Sequence, residues 1–131
     1  MSATRTMGIS VTDVDTSAKL PLGFVYREPA SGDNEGEKHW IYVFNDEAST
    51  AWAQGNVIVR DAATTTYDGV LSAAAVVPAY SVIGVAQHAI AAGSYGFIQR
   101  RGIAEVLAGT GTIDVNESIC CDGSDAGTAM E

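Results

Sequence analysis

Positive charge is scarce in this chain. Seven Lys and Arg stand against 16 Asp and Glu, a formal net charge of −9. A protein that grips nucleic acid through its phosphates must bring cations to them, so direct nucleic-acid contact is not expected. The same shortage argues against attraction to an anionic membrane. Cysteine is nearly absent too. The only two, Cys120 and Cys121, are adjacent, and neighbouring residues rarely meet the geometry of a disulfide. A disulfide-stapled secreted domain is therefore not expected. With no Cys-x-x-Cys spacing, plain reduced thiols are the expected state rather than a metal site. Histidine occurs only at 39 and 88. There is no His-Glu-x-x-His, Gly-x-Ser-x-Gly or Walker pattern. Gly109-Thr-Gly111 is too short to cradle a phosphate and reads as a turn. No run approaches the length that crosses a bilayer. The first twenty residues lack a continuous apolar core and carry Asp13 and Asp15, which does not fit a signal peptide.

What is present is glycine and short apolar clusters. The 131 residues include 14 glycines, and 47 % of the chain is hydrophobic, much of it alanine. That share suits a globular domain. The large apolar residues gather at 40–44, 57–59, 76–85, 95–98 and 103–107, without helical periodicity. The expected class is all-β: a small single-domain barrel or sandwich of short strands, because closure removes exposed strand edges. Residues 1–18, rich in Ser, Thr and Ala, read as a flexible N-terminal arm, ordered only where something holds it. Residues 19–131 form the β-rich domain.

The stretch 82–106 reads as two strands around the small-residue connection 88–93, a hairpin with an elaborated loop; a short helical turn at 86–92 is the rival. Tyr95, Phe97 and Gln99 fall on one side of the second strand, with Gly96, Ile98 and Arg100 on the other. After Arg100-Arg101-Gly102 the apolar phase slips, which places a bulge or sharp bend there. Residues 39–45 make the clearest strand. Trp40, Tyr42 and Phe44 share one face, Ile41 and Val43 the other. Both faces are apolar, so the strand is either central or lies between the core and a partner. Residues 56–60 form another short strand, Asp68-Gly69 looks like a turn, Ile113 and Val115 mark one more strand, and 120–131 reads as loop or tail.

Candidate chemistry is sparse. His88 suits a half-buried loop position better than a ligand or base. Asp46-Glu47 and the Asp33, Glu35 and Glu37 group lack an EF-hand pattern and read as solvated loops rather than calcium sites. Between Ser72 and Thr112 the only charges are Arg100, Arg101 and Glu105. Adjacent arginines on a strand face opposite ways: one pairs within the domain and the other reaches an acidic partner, or both are plain surface groups.

The segments Gly23-Phe-Val-Tyr26, Trp40-Ile-Tyr-Val-Phe-Asn45 and Gly84 to Gly102 resemble small β-rich virion structural proteins of tailed bacteriophages. Tyr95-Gly-Phe-Ile-Gln99 followed by Arg101-Gly102 is the most specific phrase, and Gly127-Thr-Ala129 is also similar. In related sequences a further strand often follows that last phrase. The resemblance implies a capsid decoration, or head-stabilising, protein: no enzyme, no cofactor and no metal, made in the host cytoplasm and placed on the outer surface of the virion capsid. The implied partners are a major capsid protein and other copies of this chain, commonly as a homotrimer. Trp40, Tyr42, Tyr95, Phe97, Arg100 and Arg101 are the candidate fold or interface residues. The alternative function is a virion-surface module recognising a host glycan or protein, with Trp52, Tyr67 and Tyr80 as an exposed aromatic platform. A hydrolase using His88 beside an acid is the third reading.

Overall fold

A computed structural model of the chain describes residues 8–32, 36–61, 67–72, 82–109, 120–121 and 126–130. Among them there are eight strands and no helix. They are β1 (Val25–Glu28), β2 (Lys38–Asn45), β3 (Val57–Arg60), β4 (Asp68–Leu71), β5 (Val82–Val85), β6 (Tyr95–Arg101), β7 (Cys120–Cys121) and β8 (Ala129–Met130). Strands β2, β4, β3, β5 and β6 follow one another around a sheet, and β6 returns to β2. The result is a closed five-stranded barrel with β1 added to β2 as an extra strand. Of the small all-β barrel or sandwich expected, the chain forms the barrel.

β2 is the staple of the closure. It pairs antiparallel with β6 from His39 to Phe44 and antiparallel with β1 through Val25↔Ile41 to Glu28↔Lys38. Its far end turns to β4, in parallel, through Phe44↔Asp68 and Asn45↔Gly69. Alternation does the rest. Ile41 and Val43 point into the barrel beside Ile58, Ile90, Ile98, Ala86 and Trp52. Trp40 and Tyr42 point outward, where Phe97 joins them in a second buried cluster. Of the two placements expected for this strand, central or between the core and a partner, both faces buried within the chain make it central. The cover on the outer face comes from the chain itself: Ile9, Val11, Leu20, Leu22 and Tyr26 pack against it.

Part of the stretch read as an arm thus lies on the barrel wall. Asp15 forms an isolated antiparallel bridge with Tyr95: its N–H donates to the Tyr95 carbonyl at 3.1 Å, and its carbonyl accepts from the Tyr95 N–H at 2.8 Å. The Tyr42 hydroxyl accepts from the Lys19 backbone N–H at 3.1 Å. Residues 1–7 lie outside the described residues.

The 82–106 stretch is less of a hairpin than its sequence suggests. β5 and β6 pair only at Val85↔Gln99, and the main partner of β6 is β2. No helical turn forms in the connection; Ile90 instead bridges to Trp52. The bulge falls where the phase slip put it. His39 opposes Arg101 while Trp40 opposes Gln99, leaving Arg100 as the extra residue, and Gly102 follows at φ +102°. Beyond it Ile103 is exposed and residues 102–107 form no strand.

Asp68-Gly69 is not a turn but the first half of β4. Glycine is needed there for space rather than for turning: a Cβ on Gly69 would stand 2.6 Å from the Ile58 Cγ2 and 3.0 Å from the Trp52 ring. The end of the chain is also more structured than a tail. β7 and β8 pair through Cys120↔Met130 and Cys121↔Ala129, and the Gly127 carbonyl accepts from Val57 N–H at 2.7 Å. The side chains of the two cysteines, the strand expected at 113–115 and Tyr80 lie outside what is described.

The thin β5–β6 seam makes Gly84 a sensitive position. A Cβ there would meet the Gln99 carbonyl oxygen at 2.6 Å and Ile98 Cδ1 at 3.2 Å. The carbonyl is backbone and cannot rotate away, so Gly84→Ala must spread the seam. We expect a loss of about 1–3 kcal/mol, measured by urea unfolding. An unchanged midpoint would mean that β5 moves freely against β6.

Candidate functional site

The six residues singled out from the sequence separate into two groups. Trp40, Tyr42, Tyr95 and Phe97 come together on the outer face of β2 and β6. The Tyr42 ring lies 5.1 Å from that of Phe97 at 60°, and 6.2 Å from that of Tyr95 in a stacked arrangement; Phe44 and Tyr95 are 4.8 Å apart. Such offset and tilted pairs add to the burial itself. Trp40, Tyr42 and Phe97 are buried and Tyr95 is half-buried. Burial also pushes the Tyr42 phenol above its ordinary pKa. This group is a second core, sealed by the N-terminal segment.

Arg100 and Arg101 are both exposed, and neither forms an ion pair with a described residue. The simple rule that adjacent strand residues face opposite ways does not carry across this bulge, because Arg100 is its extra residue. Gln99 holds the bend. Its Nε2 donates to the Ile103 carbonyl at 2.8 Å and the Arg101 carbonyl at 3.2 Å. Gln99 is 3 % exposed, and its Oε1 has no hydrogen-bond partner.

Arg101 belongs to a row that sequence reading missed. Arg27 on β1 stands opposite His39 on β2, and His39 stands opposite Arg101 on β6. Three strands therefore bring three basic side chains into line. Glu37 sits among them. One of its oxygens, Oε1, accepts from Arg27 Nε at 2.6 Å, Arg27 Nη2 at 2.6 Å and His39 Nε2 at 2.8 Å. The hydrogen bonds from His39 and then Arg27 hold the Glu37 carboxyl below its ordinary pKa. Arg27, Glu37, His39 and Arg101 together line an open pocket of about 260 Å³. On the other side of Arg101 a groove of about 430 Å³ follows the β5–β6 seam, lined by Val82, Ile83, Val85, Val106 and Gln99 among others. The signal in the sequence was weak. The row joins positions far apart in the chain, and only the register of three strands puts them together.

Other candidates fall away. Trp52, expected on an exposed platform, is wholly buried at the centre of the barrel; its backbone bridges to Ile90, and its ring packs in the core with Ile41, Ile58 and Ile98. Tyr67 is half-buried against the same core. The His88 ring is a satisfied loop group, its Nε2 donating to the Phe97 carbonyl at 3.0 Å. Among the described residues no three His, Cys, Asp or Glu are grouped to hold a metal ion.

Asp46 faces other acids. Partial burial, a hydrogen bond with Asp61, and the charges of Asp68, Asp61 and Glu47 raise its pKa above the ordinary carboxylate value. A carboxyl whose folded pKa is raised destabilises the fold while ionised, and that cost fades as the pH falls through the raised value. Asp46→Asn is therefore expected to raise stability at neutral pH, with the gain shrinking in acid. Urea midpoints across that range test it; a gain that grows in acid would contradict the assignment.

No protein-family model, curated protein or solved structure matches this chain, so the site is read from its own residues and geometry.

Proposed function

We propose that this protein is a capsid decoration protein. It binds the outer surface of a bacteriophage head and cements the shell by bridging capsid subunits against the pressure of packaged DNA. Its partners are the major capsid protein and other copies of itself, as a homotrimer, and its place is the capsid surface. The observation that carries this reading is the free edge of the sheet. Closure of the barrel uses up the edges of the other main strands, while β1 pairs only with β2 among the described residues. An unpaired strand edge is a ready template for another chain. Phe24 and Val25, 38 % and 42 % exposed, stand at that edge. The resemblance to virion proteins supports the same reading, because its most specific phrase, Tyr95 to Gln99 with Arg101-Gly102, forms β6 and the bulge beside the row of Arg27, His39 and Arg101. A surplus of negative charge suits an outer surface rather than contact with DNA.

Mass photometry of the purified protein, alone and mixed with shells that lack it, tests the proposal. A trimer, or saturation of the shell at a fixed ratio to its subunits, is expected. Val25→Lys should weaken the association, since charge on an edge strand opposes pairing. A stable monomer that ignores shells would overturn the reading.

A further inference from the structure

We infer that Arg101 is the centre of a docking site for an extended acidic segment of a partner protein, one that carries a carboxylate next to an apolar side chain. The inference stands apart from the capsid reading, since it concerns the isolated protein and any partner of that chemistry.

Three observations lead to it. The first is charge. Arg27, His39 and Arg101 occupy consecutive cross-strand positions, which brings two guanidinium groups to either side of one imidazole. Glu37 answers Arg27 and His39 through a single oxygen. The Arg101 guanidinium has no acid among the described residues, on a chain where acids outnumber bases by 16 to seven. A cation left open in so acidic a protein fits a carboxylate brought from outside, and a guanidinium takes one through two parallel N–H···O bonds.

The second is shape. Arg101 lines both the polar pocket with Arg27, Glu37 and His39 and the groove along the β5–β6 seam. The groove wall is apolar at Val82, Ile83, Val85 and Val106. A ligand whose carboxylate reaches Arg101 thus has an apolar trough within reach of its neighbouring residue.

The third is the backbone. β5 and β6 pair at one position only, and the groove of about 430 Å³ opens along their seam toward Arg101. Gln99 also lines the groove, and its Oε1 is an acceptor without a donor. Its Nε2 is already committed to the Arg101 and Ile103 carbonyls, which fixes the amide so that Oε1 can only accept. Oε1 is itself sealed from solvent, so an N–H from an incoming backbone reaches it only as the seam opens. Free phosphate or a nucleic-acid backbone would use the arginine but neither the trough nor that acceptor.

The test is an NMR titration of the full chain with the blocked peptide Ac-Val-Glu-Val-NH2, following the side-chain signals of Arg101, His39 and Gln99. Saturable shifts in all three are expected. Ac-Val-Gln-Val-NH2, which lacks the charge, and Ac-Ser-Glu-Ser-NH2, which lacks the apolar neighbours, should each bind about fivefold more weakly or less well still. Arg101→Gln, at an exposed position, should weaken the first peptide by a similar factor, while Lys19→Gln should leave it unchanged. Equal binding of the Glu and Gln peptides, or wild-type affinity in Arg101→Gln, would overturn the inference. So would inorganic phosphate saturating the Arg101 and His39 signals while the peptide leaves them unmoved.

Discussion

Deletion of residues 1–18 lowers the stability of the barrel by about 2–4 kcal/mol and makes the remainder associate. The magnitude follows from what the segment covers. Ile9 and Val11 each bury part of an apolar side chain against Trp40, Tyr42 and Phe97, and burying such a side chain completely contributes about 1.5–3 kcal/mol. The Asp15–Tyr95 bridge adds two backbone hydrogen bonds, each worth about 1 kcal/mol net. In the truncated chain Leu20, Leu22 and Tyr26 cover only part of the outer faces of β2 and β6, so aromatic surface opens to water, and such patches drive association. Urea unfolding gives the stability, and sedimentation with binding of an apolar dye reports the exposed patch. If the truncated chain unfolds at the same midpoint and stays dispersed, the segment is an arm that acts only on a partner, and the aromatic cluster needs no cover from it.

Trp52→Ala is the second large effect, with an expected cost of about 3–5 kcal/mol. The ring is wholly buried among Ile41, Ile58, Ile90 and Ile98 and fills the space that Gly69 leaves open. Its removal leaves a cavity that strands paired on both sides cannot close. Trp52→Phe makes the account sharper. The indole Nε1 is buried without a partner, and an orphaned polar group of this kind costs about 1–3 kcal/mol. Phenylalanine removes that cost while keeping most of the apolar volume, so it should be much milder than alanine. Unfolding followed by far-ultraviolet circular dichroism compares the two. A Trp52→Ala protein as stable as the parent would place the ring outside the core and restore it to the surface platform of the glycan-binding reading.

The two predictions probe opposite faces of β2, and that strand shows what a sequence can and cannot disclose. Its existence and its two apolar faces were legible, because alternation along residues 39–45 is a local property of the chain. So was the bulge, since a glycine beside a phase slip is also local. The all-β class followed from many glycines, short apolar clusters and no helical period. The acidic balance was legible in the same way, being a sum over residues.

Tertiary structure alone decided the rest. That the cover over Trp40 and Tyr42 is residues 8–24 depends on where a weakly patterned segment finds apolar surface, and its scattered Ile9, Val11, Leu20 and Leu22 carry no period. That Asp68-Gly69 belongs to a strand depends on the Trp52 ring arriving from elsewhere, a space requirement that overrides the local turn preference of the pair. The parallel pairing of β2 with β4, and the return of β6 to β2, are choices among strands of similar strength, settled only when the barrel closes. The row of two arginines and a histidine is the clearest case. Arg27, His39 and Arg101 are ordinary residues in three separate phrases, and a shift of one residue in either pairing would send them to different faces. Sequence determines which side chains alternate along each strand; register, set by the burial of every strand at once, determines which of them meet.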